Sequence, residues 1–174
     1  DSSQPLFGIV VTARDGPVRQ ISDLAGKTVA FPAPNALGAS LLVRAELERK
    51  YGVTVSPLWA QTHSSAYLNA ALGRVAAAGG VMATFSQQPQ SVRDRLRILH
   101  ETRRVAPHPV MAHPRVPAAD RDKMRQAFLE LAASAEGRAL LAAIPMPAPV
   151  AAHASDYREL TDLGLERYYV KGGD

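Results

Sequence analysis

The feature that most constrains this chain is its regular exchange of short apolar, β-branched runs for segments with helical periodicity. Leu6 to Thr12 reads LFGIVVT and ends at the turn Arg14-Asp15-Gly16-Pro17, which predicts a buried strand. Ile21, Leu24 and Ala25 fit one helical turn capped by Ser22 and closed by Gly26, ahead of a strand over Thr28 to Phe31. Pro32 and Pro34 punctuate the next loop, and a long helix runs from Ala36 to Tyr51, where Gly52 stops it. The order continues as strand Val53 to Leu58, helix Ser65 to Leu72 closed by Gly73, an Ala- and Gly-rich strand Val75 to Ala83, helix Gln90 to Leu96 and strand Arg97 to Glu101. Strands alternating with helices are the pattern of a parallel α/β sheet. Residues 28–101 therefore read as one compact lobe, and Gly79-Gly80 inside a buried strand asks only for close packing.

From Pro107 the character changes. HPVMAHPRV is one more apolar crossing segment, and Pro117 to Ala133 is an amphipathic helix with Met124, Phe128 and Leu131 on one face. A helix over Ala135 to Ala143 starts behind Ser134 as its cap and ends in the proline-rich IPMPAPV, and a last helix spans Asp156 to Leu163. These helices have few strands of their own to cover, so they are expected to pack against a surface supplied elsewhere.

Composition narrows the function classes. The 174 residues contain no cysteine, which excludes disulfide scaffolds, cysteine zinc sites and thiol enzymes. No apolar run approaches the roughly 20 residues of a membrane-spanning helix, and DSSQPLFG lacks a basic region followed by an apolar stretch, so an export signal has been removed or was never present. The net charge of +4 is spread out, with Arg103-Arg104 the one adjacent arginine pair, and does not interleave with aromatics as a nucleic-acid surface does. His100, His108 and His113 have no metal-ligand spacing, and neither a nucleophile elbow nor a phosphate loop is present. A non-enzyme without cofactor or metal is expected.

Two loops can hold an anion. Asn35-Ala36-Leu37-Gly38-Ala39 opens a long helix directly after a strand, so free backbone N–H groups and the positive helix end lie at the carboxyl edge of the sheet, with Asn35 as the expected N-cap. A capped helix that binds only water is the plainer alternative. His63, Ser64 and Ser65 occupy the next strand-to-helix loop at the same edge, where open α/β folds place ligands. There one serine is expected to cap the helix, and Tyr67 reads as core.

The stretch ISDLAGKTVAFPAPNALGASLL, followed in order by THSSAYLNAALGRVAAAGGV, RILHETRRVAPHPVMAHPRVP and AFLELAASAEGRALL, resembles periplasmic solute-binding proteins of the phosphate, phosphite and phosphonate ABC transporters. The resemblance implies a type 2 periplasmic-binding-protein fold, one complete α/β lobe with a mainly parallel sheet plus C-terminal helices of an incomplete first lobe. Residues 1–13 would be a crossing strand, 14–104 the second lobe, and 105–174 the return crossing and first-lobe helices. The N-terminal part of the first lobe is expected to be absent, leaving a surface that favours self-association. A small anionic solute would bind between the lobes, with an ABC permease as partner in the periplasm, soluble or lipid-anchored. A ligand-sensing domain of a signalling receptor is the alternative.

The resemblance also implies a ligand role for His63, and for His108 in the crossing segment, where relatives often carry an acidic residue. The family places Ser-Thr-Ser-Gly in the first loop, whereas this chain has Ala36, Leu37 and Gly38, so amides rather than hydroxyls must serve there. The ligand stays open among small anions.

Overall fold

A computed structural model describes residues 5–144, 146 and 148–172. The first four residues of the 1–13 segment, Pro145 and Pro147 of the proline-rich loop, and the last two residues lie outside the described set. The chain divides into two compact units. One comprises Phe7–Arg104 with Leu163 onward, the other the residues up to Leu6 with Val105–Asp162.

The larger unit is built on five strands, β1 (Gly8–Ala13), β2 (Thr28–Phe31), β3 (Ser56–Trp59), β4 (Ala77–Val81) and β5 (Leu96–Glu101), in the order β3-β2-β4-β1-β5. β2 pairs in parallel with β3 and β4, while β1 pairs antiparallel with both β4 and β5. Four strands thus run one way and β1 alone is reversed, so the sheet is mainly parallel.

Side chains alternate across the sheet because the strand period is two residues. Ile9, Val11, Ala30 and Ala78 face one core with Tyr67, while Val10, Val29, Phe31 and Ala77 face the other with Val43 and Leu47. Helices cover both faces for that reason. The first face takes α2 (His63–Ala71), with α3 (Met82–Ser86) and α4 (Gln90–Arg93) beside it; the second takes α1 (Val43–Tyr51).

The close helix packing explains the glycine pair. A Cβ on Gly80 would overlap the Tyr67 phenol, and one on Gly79 would overlap the Phe31 ring and the Ala39 carbonyl. Small residues here let helices press onto both sides of one strand.

Local corrections follow from hydrogen bonding. The long helix starts with a π-helical stretch, Leu37–Leu42, and becomes α only at Val43, with Gly52 in the left-handed conformation at its end. Gln20, not Ser22, caps the first helical turn, exchanging bonds with Asp23. The strand expected over 53–58 is Ser56–Trp59, because Val53 N–H returns to Leu47 O to close the preceding helix. β4 stops at Val81, where Thr84 Oγ1 and Tyr67 Oη occupy the Val81 carbonyl and α3 begins.

The tail of the chain belongs to this unit. Asn35 Nδ2 donates to Val170 O at 3.1 Å while Val170 N–H donates to Asn35 Oδ1 at 3.0 Å. Arg49 donates to the carbonyls of Leu163 and Gly164, and Tyr168, 8% exposed, packs under the guanidiniums of Arg44, Arg49 and Arg167.

In the smaller unit the segment after the Leu6–Val105 bridge forms no strand, and Val110 and Met111 are 63% and 82% exposed. The unit's helices are α5 (Ala118–Ala133), α6 (Ala135–Ala143) and α7 (Arg158–Asp162). Ser134 caps α6 through Gly137 N–H at 2.9 Å, as expected. On α5 Met124 and Leu131 are exposed and Phe128 half-buried.

Candidate functional site

The carboxyl ends of β2, β3 and β4 lie together. Phe31 and Trp59, the last residues of β2 and β3, are register partners with ring centroids 5.9 Å apart, and the loops that follow them leave the sheet side by side. Val81 at the end of β4 pairs with Gly8, so β1 begins at this edge, and β5 ends there, Glu101 opposite Ile9.

The loop after β2 is pinned from behind. Arg44 donates to Pro34 O at 2.6 Å and to Ser40 Oγ at 3.1 Å, and Ser40 Oγ donates to Pro34 O at 2.9 Å. Arg44 also lies over the Trp59 ring at 5.4 Å, and burial holds its pKa below the usual guanidinium value. Sequence reasoning passed over Arg44, because an arginine on an amphipathic helix looks solvated.

Asn35 does not cap the helix. Its side chain is engaged with Val170, and Ala36 takes the N-cap position with extended backbone and no side-chain bond. The first bonds back onto this turn run from Ser40 N–H and Leu41 N–H to Ala36 O, at 2.9 and 3.0 Å. The amides of Leu37, Gly38 and Ala39 precede them, in the part of a helix that has no intrahelical acceptor. Gly38 and Ala39 are buried, while Ala36 and Leu37 are half-buried.

At the loop after β3, Thr62 rather than a serine is the cap: its Oγ1 accepts from Ser65 N–H at 3.0 Å. The helix therefore starts two residues early, and His63 is its first residue. Ser64 is exposed and Ser65 half-buried.

His63 Nδ1 lies 3.1 Å from Thr84 Oγ1, which lies 2.9 Å from Tyr67 Oη. Both hydroxyls reach Val81 O, Thr84 at 3.0 Å and Tyr67 at 3.1 Å, and Val81 N–H donates to Tyr67 Oη at 3.1 Å. Burial pushes the His63 pKa down and the fully buried Tyr67 pKa up. Thr84 is the residue that sequence reasoning missed. It stands just past the end of the expected strand, where nothing in the local pattern marks it.

His108 is exposed and belongs to the smaller unit, in a concavity of about 320 Å³ lined in part by Val110, Arg125, Phe128 and Tyr157. His100 pairs with Glu46 at 2.8 Å, and His113 Nδ1 accepts from Arg115 N–H. Among the described residues no group of three His, Cys, Asp or Glu side chains is placed to hold a metal ion.

Comparisons with known proteins agree on the fold. XAC2383 from Xanthomonas citri, bound to chloride ion, superposes with a TM-score of 0.81 at 17% identity, over 92% of this chain and 65% of that one. A binding protein component of an ABC phosphonate transporter from Pseudomonas aeruginosa gives 0.79 at 17% identity, over 96% and 60%. PhnD1 from Prochlorococcus marinus, in complex with methylphosphonate, gives 0.80 at 10% identity, over 95% and 68%. The chain thus spans less than two thirds of the length of the first two. No curated protein matches its sequence. The family model for periplasmic substrate-binding proteins of phosphonate ABC transporters matches residues 1–157, and the chain belongs to that family.

Proposed function

We propose that the chain is the solute-binding component of an ABC importer, acting outside the cytoplasm, and that it holds a small anion of the phosphate or phosphonate type at the carboxyl edge of its parallel strands. The observation that supports this reading is the register pairing of Phe31 with Trp59, since the loops that follow these two strand ends lead to the amides of Leu37, Gly38 and Ala39 and to the His63-Ser64-Ser65 turn. Such helix starts attract anions through unpaired N–H groups and the positive end of the helix dipole. Methylphosphonate in the Prochlorococcus protein and chloride in the Xanthomonas protein are anions, which supports the class. With Ala36, Leu37 and Gly38 in the first loop, main-chain amides do the work that hydroxyls do elsewhere in the family.

Binding and delivery to a permease need no chemistry on the solute, and the chain is read as a non-enzyme. No helix among the described residues is long and apolar enough to cross a membrane. The exposed Val110 and Met111 support self-association of the chain.

A thermal-shift screen against phosphate, phosphite, methylphosphonate, sulfate and carboxylates tests the reading. One-site binding at 100 times Kd adds about 2.7 kcal/mol of stability, and a flat response to every anion would reject it.

A further inference from the structure

The hydroxyls behind His63 determine what its other nitrogen can do. Four close contacts among Thr84 Oγ1, Tyr67 Oη, Val81 O and His63 Nδ1 require hydrogens, and the two hydroxyls bring only two. The Val81 carbonyl can only accept. If Thr84 gave its hydrogen to Nδ1, Thr84 Oγ1 and Val81 O would face each other at 3.0 Å with none between them. If Nδ1 carries a hydrogen, it donates to Thr84 Oγ1, Thr84 donates to Val81 O, and Tyr67 donates to Thr84. With Nδ1–H three of the four contacts are bridged and only Tyr67 Oη and Val81 O, 3.1 Å apart, lack a hydrogen between them, whereas without it two contacts are left unbridged; that difference is the ground on which the tautomer is assigned.

The opposite nitrogen, Nε2, is not buried and has no hydrogen bond among the described residues. In the neutral imidazole it carries a bare lone pair.

We infer that Thr84 and Tyr67 fix neutral His63 as its Nδ1–H tautomer, so that the site selects oxyanions carrying their own hydrogen, such as hydrogen phosphate or a phosphonate monoanion, and disfavours sulfate. The inference rests on the anion-binding reading above. A P–OH donates to Nε2, whereas a fully deprotonated oxyanion meets lone pair with lone pair. The burial of one side of His63 favours the neutral form, because desolvation penalises the charged imidazolium. The titratable group facing it is the Tyr67 phenol, contributed by α2 itself; α3 and β4 present the Thr84 hydroxyl and the Val81 main chain, and no charged side chain is hydrogen-bonded or ion-paired with it among the described residues. Acidification converts Nε2 into a donor and should admit sulfate.

Nitrogen-15 NMR of His63 in the unliganded chain at pH 8, with calorimetry of inorganic phosphate and sulfate at pH 8 and pH 5, tests this. The expected result is a pyridine-type Nε2, phosphate bound at least about tenfold more tightly than sulfate at pH 8, and a smaller ratio at pH 5. Thr84→Val should give mixed tautomers and a smaller ratio at pH 8, with Thr84→Ser restoring both. A proton on Nε2 at pH 8, or equal affinity for the two anions there, overturns the inference while leaving the anion reading intact. A pyridine-type Nε2 with neither of these two anions nor any other of the thermal-shift screen bound overturns the anion reading, and the proposed selectivity with it.

Discussion

Gly80 lies against the Tyr67 phenol, which itself accepts from Val81 N–H and is hydrogen-bonded to Thr84, so neither partner can yield. Gly80→Ala should lower stability by about 1–3 kcal/mol, read from the urea midpoint. Ala36 offers the opposite case. It occupies an N-cap position with extended backbone and no side-chain acceptor, and Ala36→Ser should raise stability by about 1 kcal/mol in the same measurement. His63 gives a pH signature. Its folded-state pKa lies below the unfolded value of about 6.5, so the unfolded chain binds more protons in the interval between them. The full stability is present above pH 6.5 and falls on acidification toward the folded pKa; His63→Gln should flatten that slope in thermal melts. Single residues were unevenly legible. Gly79-Gly80 and the Ser134 cap follow from composition and spacing alone, whereas the choice of Thr62 over Ser64 depends on where the helix begins, and three hydroxyl residues in four positions fit equally well before packing decides.

At the scale of elements, α1 and β5 are joined by one carboxylate. Glu46 accepts from Arg103 N–H at 2.6 Å through Oε1 and pairs with His100 Nε2 at 2.8 Å through Oε2. Both partners lie at the end of β5, just before the boundary between units. Glu46→Ala should cost about 1–2 kcal/mol and speed amide hydrogen exchange at residues 100–103 more than elsewhere in the sheet. The elements themselves were readable because period-two and helical patterns depend on burial alone. Their ends were less so. The π-helical opening at 37–42 arises where Gly38 and Ala39 pack against Gly8 and Gly79, a tertiary contact that no local propensity announces. The reversed direction of β1 is equally invisible in its sequence, since an apolar run pairs in either sense.

At the scale of the whole molecule, the chain passes between its two units three times, near residues 6, 104 and 162. The sequence marked the second passage by its change of character at Pro107. The third it did not mark, because Leu163–Tyr168 looks like a polar tail until Leu165 and Tyr168 are seen buried. The smaller unit leaves Val110 and Met111 largely exposed, and sedimentation should show concentration-dependent association that Met111→Ser reduces; a monomer at all concentrations would refute it. The clasp between Asn35 and Val170 has a further consequence, in the time domain of biosynthesis. Its partners are 135 residues apart, so the loop that opens the proposed anion site cannot be locked until the 135 residues that follow Asn35 have left the ribosome. A nascent chain halted short of Val170 could form the sheet yet lack that lock, and its capacity to retain solute should appear only once Val170 has emerged.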